Sequence, residues 1–186
     1  MKNRALKLII GVSAFLMLSS TVKAQALHDA TATPPPPTPI AALPLNAEQR
    51  STIEQALKTH DYKTVEKLLV SEIEKNPKSP ELLRFAGSVF FLDGEYLNTA
   101  IALKKAEAIT PLDNPSRLTL ALAYIILNHR DWARPELETL LKSDPRNVLY
   151  PYWLGRIDYD AMQFTSALAN FQKALDLLAS QPDPNL

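Results

Sequence analysis

The residues that could do chemistry are few and scattered. The chain has three histidines, His28, His60 and His129, and no cysteine. Lack of cysteine removes disulfides, thiolate metal ligands and cysteine nucleophiles together. It also removes the thiol that bacterial lipidation of a processed leader would acylate. His28 lies in a proline-rich stretch. His60 and His129 fall between helical patterns, where polar side chains are ordinary. Asp158 and Asp160 flank Tyr159 and form the one local carboxylate pair with a claim to acid–base work. A two-residue step puts them on different helix faces, so they read as solvated acids. HExxH, GxSxG, Walker and glycine-fingerprint motifs do not occur. The composition therefore reads as non-enzymatic, with no metal and no cofactor expected.

Charge narrows the partners. Formal net charge is zero over 186 residues. Lys2, Arg4, Lys7 and Lys23 face no acid within Met1 to Ala24. Taking those four from 20 leaves 16 basic against 20 acidic side chains. A mildly acidic product lacks the concentrated basic surface that nucleic acid demands.

The N-terminal residues read as a secretory leader over 1–26. Lys2, Arg4 and Lys7 precede an apolar run of 11 residues, Leu8 to Leu18. Small residues then stand where a signal peptidase cuts, near Ala24 or Ala26. The run is shorter than the roughly 20 residues a bilayer span needs. The mature chain is accordingly expected to carry no integral span and to be periplasmic or secreted, with a bacterial look. Residues 27–45 follow, with Pro34 to Pro37, Pro39 and Pro44 favouring extended polyproline II. They read as a stiff spacer in preference to a ligand for a proline-binding module.

The elements that must position any site begin at Pro80 to Pro111. Leu83, Ala86, Gly87 and Phe90 share one helical face, and Leu103, Ala106 and Ile109 share another. Asp93-Gly94 marks the reversal between them. Such a pair cannot bury its apolar faces alone, and the sequence repeats it. Pro77, Pro111 and Pro145 are 34 residues apart. The same step links Gly87, Ala121 and Gly155; Val65, Thr99, Ala133 and Ala167; and Leu69, Leu103, Leu137 and Phe171. A fixed period of this size marks a solenoid. The period and the residue types resemble the tetratricopeptide repeat, most closely at Leu154-Gly155, Ala167, Phe171 and Ala174. Four units are read, at 46–79, 80–113, 114–147 and 148–181, with 182–186 frayed. The resemblance implies an all-α, right-handed solenoid that serves as a binding scaffold. Unit one departs most, with Ile53 in the Gly87 place and Glu72 in the Ala106 place.

Local punctuation fits. Asn46 with Gln49 three residues later forms a capping-box pattern, and Asp61 is a cap for the next helix. Ser79-Pro80-Glu81 and Asn114-Pro115 read as a cap followed by proline at the first helical position. Pro135 is expected to delay or bend its helix if Asp131 caps it, and Pro151 raises the same question.

By resemblance, the first helix of each unit lines a concave groove. Three register rows would face it: Arg50, Arg84, Leu118 and Tyr152; Glu54, Ser88, Leu122 and Arg156; and Leu57, Phe91, Ile125 and Tyr159. Phe91, Leu118, Leu122 and Ile125 would form an apolar middle between arginine and tyrosine ends. The alternative is that several of these apolar residues, Leu118 and Leu122 among them, are simply core, because both faces of the inner helix are partly buried in a stacked solenoid. Arginine and aromatic residues are favoured at interaction hot spots. The expected partner is another protein, offering an extended peptide or an amphipathic helix. The family's carboxylate clamp is not expected, because its asparagines are missing and Glu54 would repel a carboxylate. Many relatives cover the last repeat with a polar helix, and none is seen here. Leu168, Leu175 and Leu178 are therefore expected at an uncovered end. This patch gives the alternative reading, a self-assembling module and homo-oligomer.

Overall fold

The computed structural model describes residues 39–180. The leader, most of the proline-rich stretch and the last six residues, with the frayed 182–186, lie outside the described residues. After a short 3-10 turn (Ile40–Ala42) come eight helices: α1 (Ala47–Lys58), α2 (Tyr62–Lys75), α3 (Pro80–Leu92), α4 (Tyr96–Glu107), α5 (Asn114–Ile126), α6 (Arg130–Ser143), α7 (Leu149–Asp160) and α8 (Phe164–Ser180). No strand occurs among the described residues. No described helix is long and apolar enough to cross a membrane.

Each helix packs on the next, giving an antiparallel array of four pairs. The paired turns repeat in detail. His60, Gly94, Asn128 and Met162, spaced by the same step, all have positive φ, at 57°, 78°, 65° and 60°. After each of them the next amide reaches back five residues: Asp61 to Ala56, Glu95 to Phe90, His129 to Tyr124 and Gln163 to Asp158, each at 2.8 Å. This is the Schellman end of a helix, in which a left-handed residue lets the last carbonyls find donors.

The Val65, Thr99, Ala133 and Ala167 row is buried throughout, as are Leu69, Leu103 and Leu137. Gly87 and Gly155 sit where a Cβ would lie 2.7 Å from the side chains of Leu103 and Phe171, so these two glycines let α3–α4 and α7–α8 approach closely. Glu72, in the Ala106 place, is accommodated because its Oε1 accepts from Gln49 Nε2 and Lys75 Nζ, both at 2.7 Å.

Two core clusters divide the solenoid. One joins α3 to α7 around Leu103, Leu120 and Leu137, and the other holds unit one to α3 around Ile53, Leu69 and Phe85. The second cluster includes Leu43 and Leu45. The spacer expected over 27–45 therefore does not stay extended to its end. Both leucines are buried, because their apolar side chains join the cluster that holds Ile53, Val65 and Leu69.

The Asn46 capping box is present, as are the Asp61 and Ser79 caps. Two expectations change. In α5 the cap is Asp113, which accepts from the Ser116 amide at 2.8 Å, and Asn114 is the first helical residue. In α6 Asp131 lies inside the helix after His129, and Pro135 is its sixth residue. The helix runs on, since the carbonyl that Pro135 leaves without a donor is on exposed Asp131, where water can reach it. Pro151 is the third residue of α7, where no intrahelical hydrogen bond is lost.

Candidate functional site

The first helices of the units are α1, α3, α5 and α7. Of the helices two apart in the chain, α3 and α5 pack directly on each other, whereas the second helices have no comparable contact. Between α3 and α5 the array therefore curves toward its first helices.

The curvature decides which groove candidates stay accessible. Leu118 and Leu122 are buried in the core cluster that joins α3 to α7. The expected apolar middle therefore loses both. Inner helices that touch squeeze these positions into their contact. Ser88 is also buried and donates to the Arg84 carbonyl at 3.3 Å. Phe91 and Ile125 are half-buried, with Phe91 edge-on to Tyr96 at 5.4 Å. Leu57 is half-buried, and Glu54 is exposed.

The arginines at the N-terminal end are occupied. Arg50 donates through Nη2 to the Leu43 carbonyl at 3.1 Å, so it holds the incoming segment. Arg84 lies 3.7 Å from both Glu81 and Asp113, and its Nε is buried without a hydrogen-bond partner among the described residues.

The C-terminal end is open. Arg156 is exposed and forms no ion pair among the described residues. Tyr159 is 56% exposed and stands edge-on to Phe164 at 5.8 Å. Tyr152 is half-buried between Trp153 and Phe171, at 5.4 and 6.0 Å. One further row of the same register is exposed and was not singled out in the sequence: Leu92 and Ile126 follow Phe91 and Ile125 by one residue and are 36% and 50% exposed. Lys58 and Asp160 complete the row, and Asp160 pairs with Arg130 at 3.3 Å.

Charged groups elsewhere join neighbouring units. Lys63 Nζ lies 3.0 Å from Glu66, 2.6 Å from Asp93 and 2.6 Å from Glu95. The three carboxylates are close enough together to suit a cation, but the ammonium already stands among them. Burial pushes the Glu66 carboxyl above its ordinary range, against the opposing Lys63 hydrogen bond. The same lysine's hydrogen bond holds Glu95 below its range. Arg117 pairs with Glu107 at 3.1 Å and with Glu136. Asp158, expected to be solvated, is 1% exposed instead. It accepts from Arg134 of α6 and from Asn170 of α8 at 2.8 Å, so it ties three helices together.

The expected end patch is exposed too. Leu168 and Leu175 are 69% and 50% exposed, and Leu178 is half-buried.

No protein-family model matches the chain, and no curated protein matches it by sequence. Solved structures do. The chain is similar to MamA MSR-1, at 18% identity and a TM-score of 0.64, covering 85% of this chain and 90% of that one. MamA from Desulfovibrio magneticus RS-1 is similar at 20% identity and a TM-score of 0.64, covering 69% and 72%. So is TTC0263, a thermophilic TPR protein in Thermus thermophilus, at 19% identity and a TM-score of 0.53, covering 69% and 71%. The chain thus has the tetratricopeptide-repeat type of fold, an all-α solenoid.

Proposed function

We propose that the chain is an exported adaptor that holds a peptide or amphipathic helix of another protein in its concave groove, within an envelope assembly or secretion process. It acts by binding, with no chemical step of its own. The observation that carries this reading is the open C-terminal half of the groove. Arg156 and Tyr159 stand exposed there, and the half-buried Ile125 and exposed Ile126 of the preceding first helix continue the surface. A guanidinium and a phenol beside apolar side chains suit an amphipathic segment that carries an acidic residue. Phe91 and Leu92 extend the same chemistry by one more unit. Periplasmic or secreted location rests on the leader read over residues 1–26.

A photoreactive residue at Tyr159 tests the reading in the native envelope. A discrete partner should be captured there, and capture at the unchanged probe should fall at least tenfold when Arg156→Ala is added. Capture indifferent to Arg156→Ala and to Ile126→Asp would overturn the groove.

A further inference from the structure

A cleft of about 400 Å³ opens between α2 and the C-terminal half of α3, lined by Glu66, Lys67, Val70, Ser71, Glu74 and Phe90. None of these residues belongs to the rows that face the groove. Glu66 is 9% exposed. Its Oε2 accepts from Lys63 at 3.0 Å, whereas its Oε1 is buried and has no hydrogen-bond partner among the described residues. A buried carboxylate oxygen without a donor is costly, and burial pushes this carboxyl above its ordinary range. The later units show how the same place is otherwise closed. The 34-residue step carries Glu66 and Phe90 to Ala100 and Tyr124, and then to Arg134 and Asp158. Tyr124 is buried with its ring edge-on to Trp132 at 5.5 Å. Asp158 accepts from Arg134 and from Asn170. In the first of the three places a carboxylate is buried, but no guanidinium answers it, and Phe90 stays half-buried on the cleft wall.

We propose that this cleft binds an arginine side chain of a partner protein, at a site separate from the groove. The guanidinium supplies the donor that Glu66 Oε1 lacks, as Arg134 supplies one to Asp158. Its planar face suits the Phe90 ring, and its methylene stem suits Val70, which is 44% exposed. The local field favours a cation. Carboxylate oxygens of Glu66, Asp93 and Glu95 lie within 4.8 Å of one another, and Glu74 stands on the cleft wall. Lys63 and Lys67 offset only two of these four acids. An ammonium fits less well than a guanidinium. The Lys63 ammonium already takes the Oε2 side, whereas a planar fork can reach Oε1 while it lies along an aromatic ring. The site stands independently of what the groove holds, because the two share no residue.

The test uses the full chain, isotope-labelled for nuclear magnetic resonance, with Nα-acetyl-arginine amide as the probe. The Val70 and Ser71 amide resonances should shift saturably, and the uncharged citrulline counterpart should leave them in place. Glu66→Gln, with its helical circular dichroism intact, should weaken the probe's binding about tenfold, the loss of one charge-assisted hydrogen bond. Because Glu66 also meets Lys63, a second variant is read at an exposed position: Lys67→Glu should tighten binding by about threefold. Arg156→Ala, in the groove, should change nothing. A probe that gives no saturable shift, or that binds Glu66→Gln as tightly as the parent, overturns the proposal, as does weaker binding to Lys67→Glu. Equal shifts from the citrulline counterpart overturn the charge pairing, and equal binding of Nα-acetyl-lysine amide overturns the choice of guanidinium. Methylguanidinium that binds as tightly as the capped arginine overturns the side-chain source, since the stem would then contribute nothing.

Discussion

Gly155 faces the ring of Phe171 so closely that a Cβ built on it would lie 2.7 Å from two ring carbons. Glycine here is a packing requirement, because the missing side chain lets α7 and α8 cross with the ring filling the space. Gly87 stands in the same relation to Leu103. Overpacking of this kind costs about 1–3 kcal/mol. Alanine is about 0.5–1 kcal/mol better than glycine inside a helix, so Gly155→Ala should lower stability by a net of up to about 2 kcal/mol in urea unfolding. Adding Phe171→Leu should return part of the loss, because the smaller side chain vacates the space. A Gly155→Ala protein as stable as its parent would show that the helices can separate freely at this crossing.

Asp158 is the buried charge on which α6, α7 and α8 converge. Removing it leaves the Arg134 guanidinium and the Asn170 amide without their acceptor. Hydrogen bonds to charged groups are each worth about 1.5–3 kcal/mol. Asp158→Ala should lose about 2–3 kcal/mol after discount for the partly exposed Arg134. Asn170 belongs to α8, so native-state hydrogen exchange of the variant should show α8 opening before α3 and α5. Uniform opening of the whole chain would argue against a local role for this carboxylate.

The Lys63 cluster gives two pH responses of opposite sign. The Lys63 hydrogen bond holds Glu95 below its ordinary value of 4.5. Its contribution is present above that value and is lost as pH falls through the lowered one. Glu66 is raised from the same ordinary value of 4.5 by burial. The folded state then binds more protons than the unfolded one. The Glu66 contribution is complete below that value and is lost as pH rises through the raised one. Glu95→Gln should therefore be most destabilising, relative to the parent, at neutral pH, and the difference should shrink on acidification. Glu66→Gln should become more favourable relative to the parent as pH rises. Urea unfolding across the carboxylate range would read both slopes, and slopes of equal sign would contradict the assignment.

Periodicity made the architecture legible, because a 34-residue step needs only residue volumes at recurring positions. Val65, Thr99, Ala133 and Ala167 are small or medium-sized in the sequence and buried in the fold for the same reason. The groove was less legible. Leu118 and Leu122 lie in the register of accessible rows, but their exposure depends on how sharply the first helices converge, and no local pattern encodes that angle. Asp158 was misread because the partner that makes its burial tolerable, Arg134, is 24 residues away. Leu43 and Leu45 were masked by the prolines around them, whose extended preference says nothing about what the intervening leucines pack on. The positive-φ row was hidden for another reason: Gly94 announces its conformation, whereas His60, Asn128 and Met162 adopt it under the force of the surrounding turn.

That last row leads to a prediction of opposite direction. Met162 has a φ of 60° and is 78% exposed. A side chain in the left-handed region costs roughly 1–2 kcal/mol, because its Cβ crowds the following carbonyl. Glycine escapes that cost but gives back about 0.5–1 kcal/mol in unfolded-chain entropy. Little packing is lost with so exposed a side chain. Met162→Gly should therefore stabilise the chain by about 0.5–1 kcal/mol. Gly94→Ala, at a φ of 78° with nothing near its missing Cβ, should lose about 1 kcal/mol through the backbone alone. Both are measured by urea unfolding at constant m-value. A loss of stability in Met162→Gly would mean that the methionine side chain packs on the neighbouring aromatics Tyr159 and Phe164, and that the turn is held by that contact rather than by its carbonyl bonds.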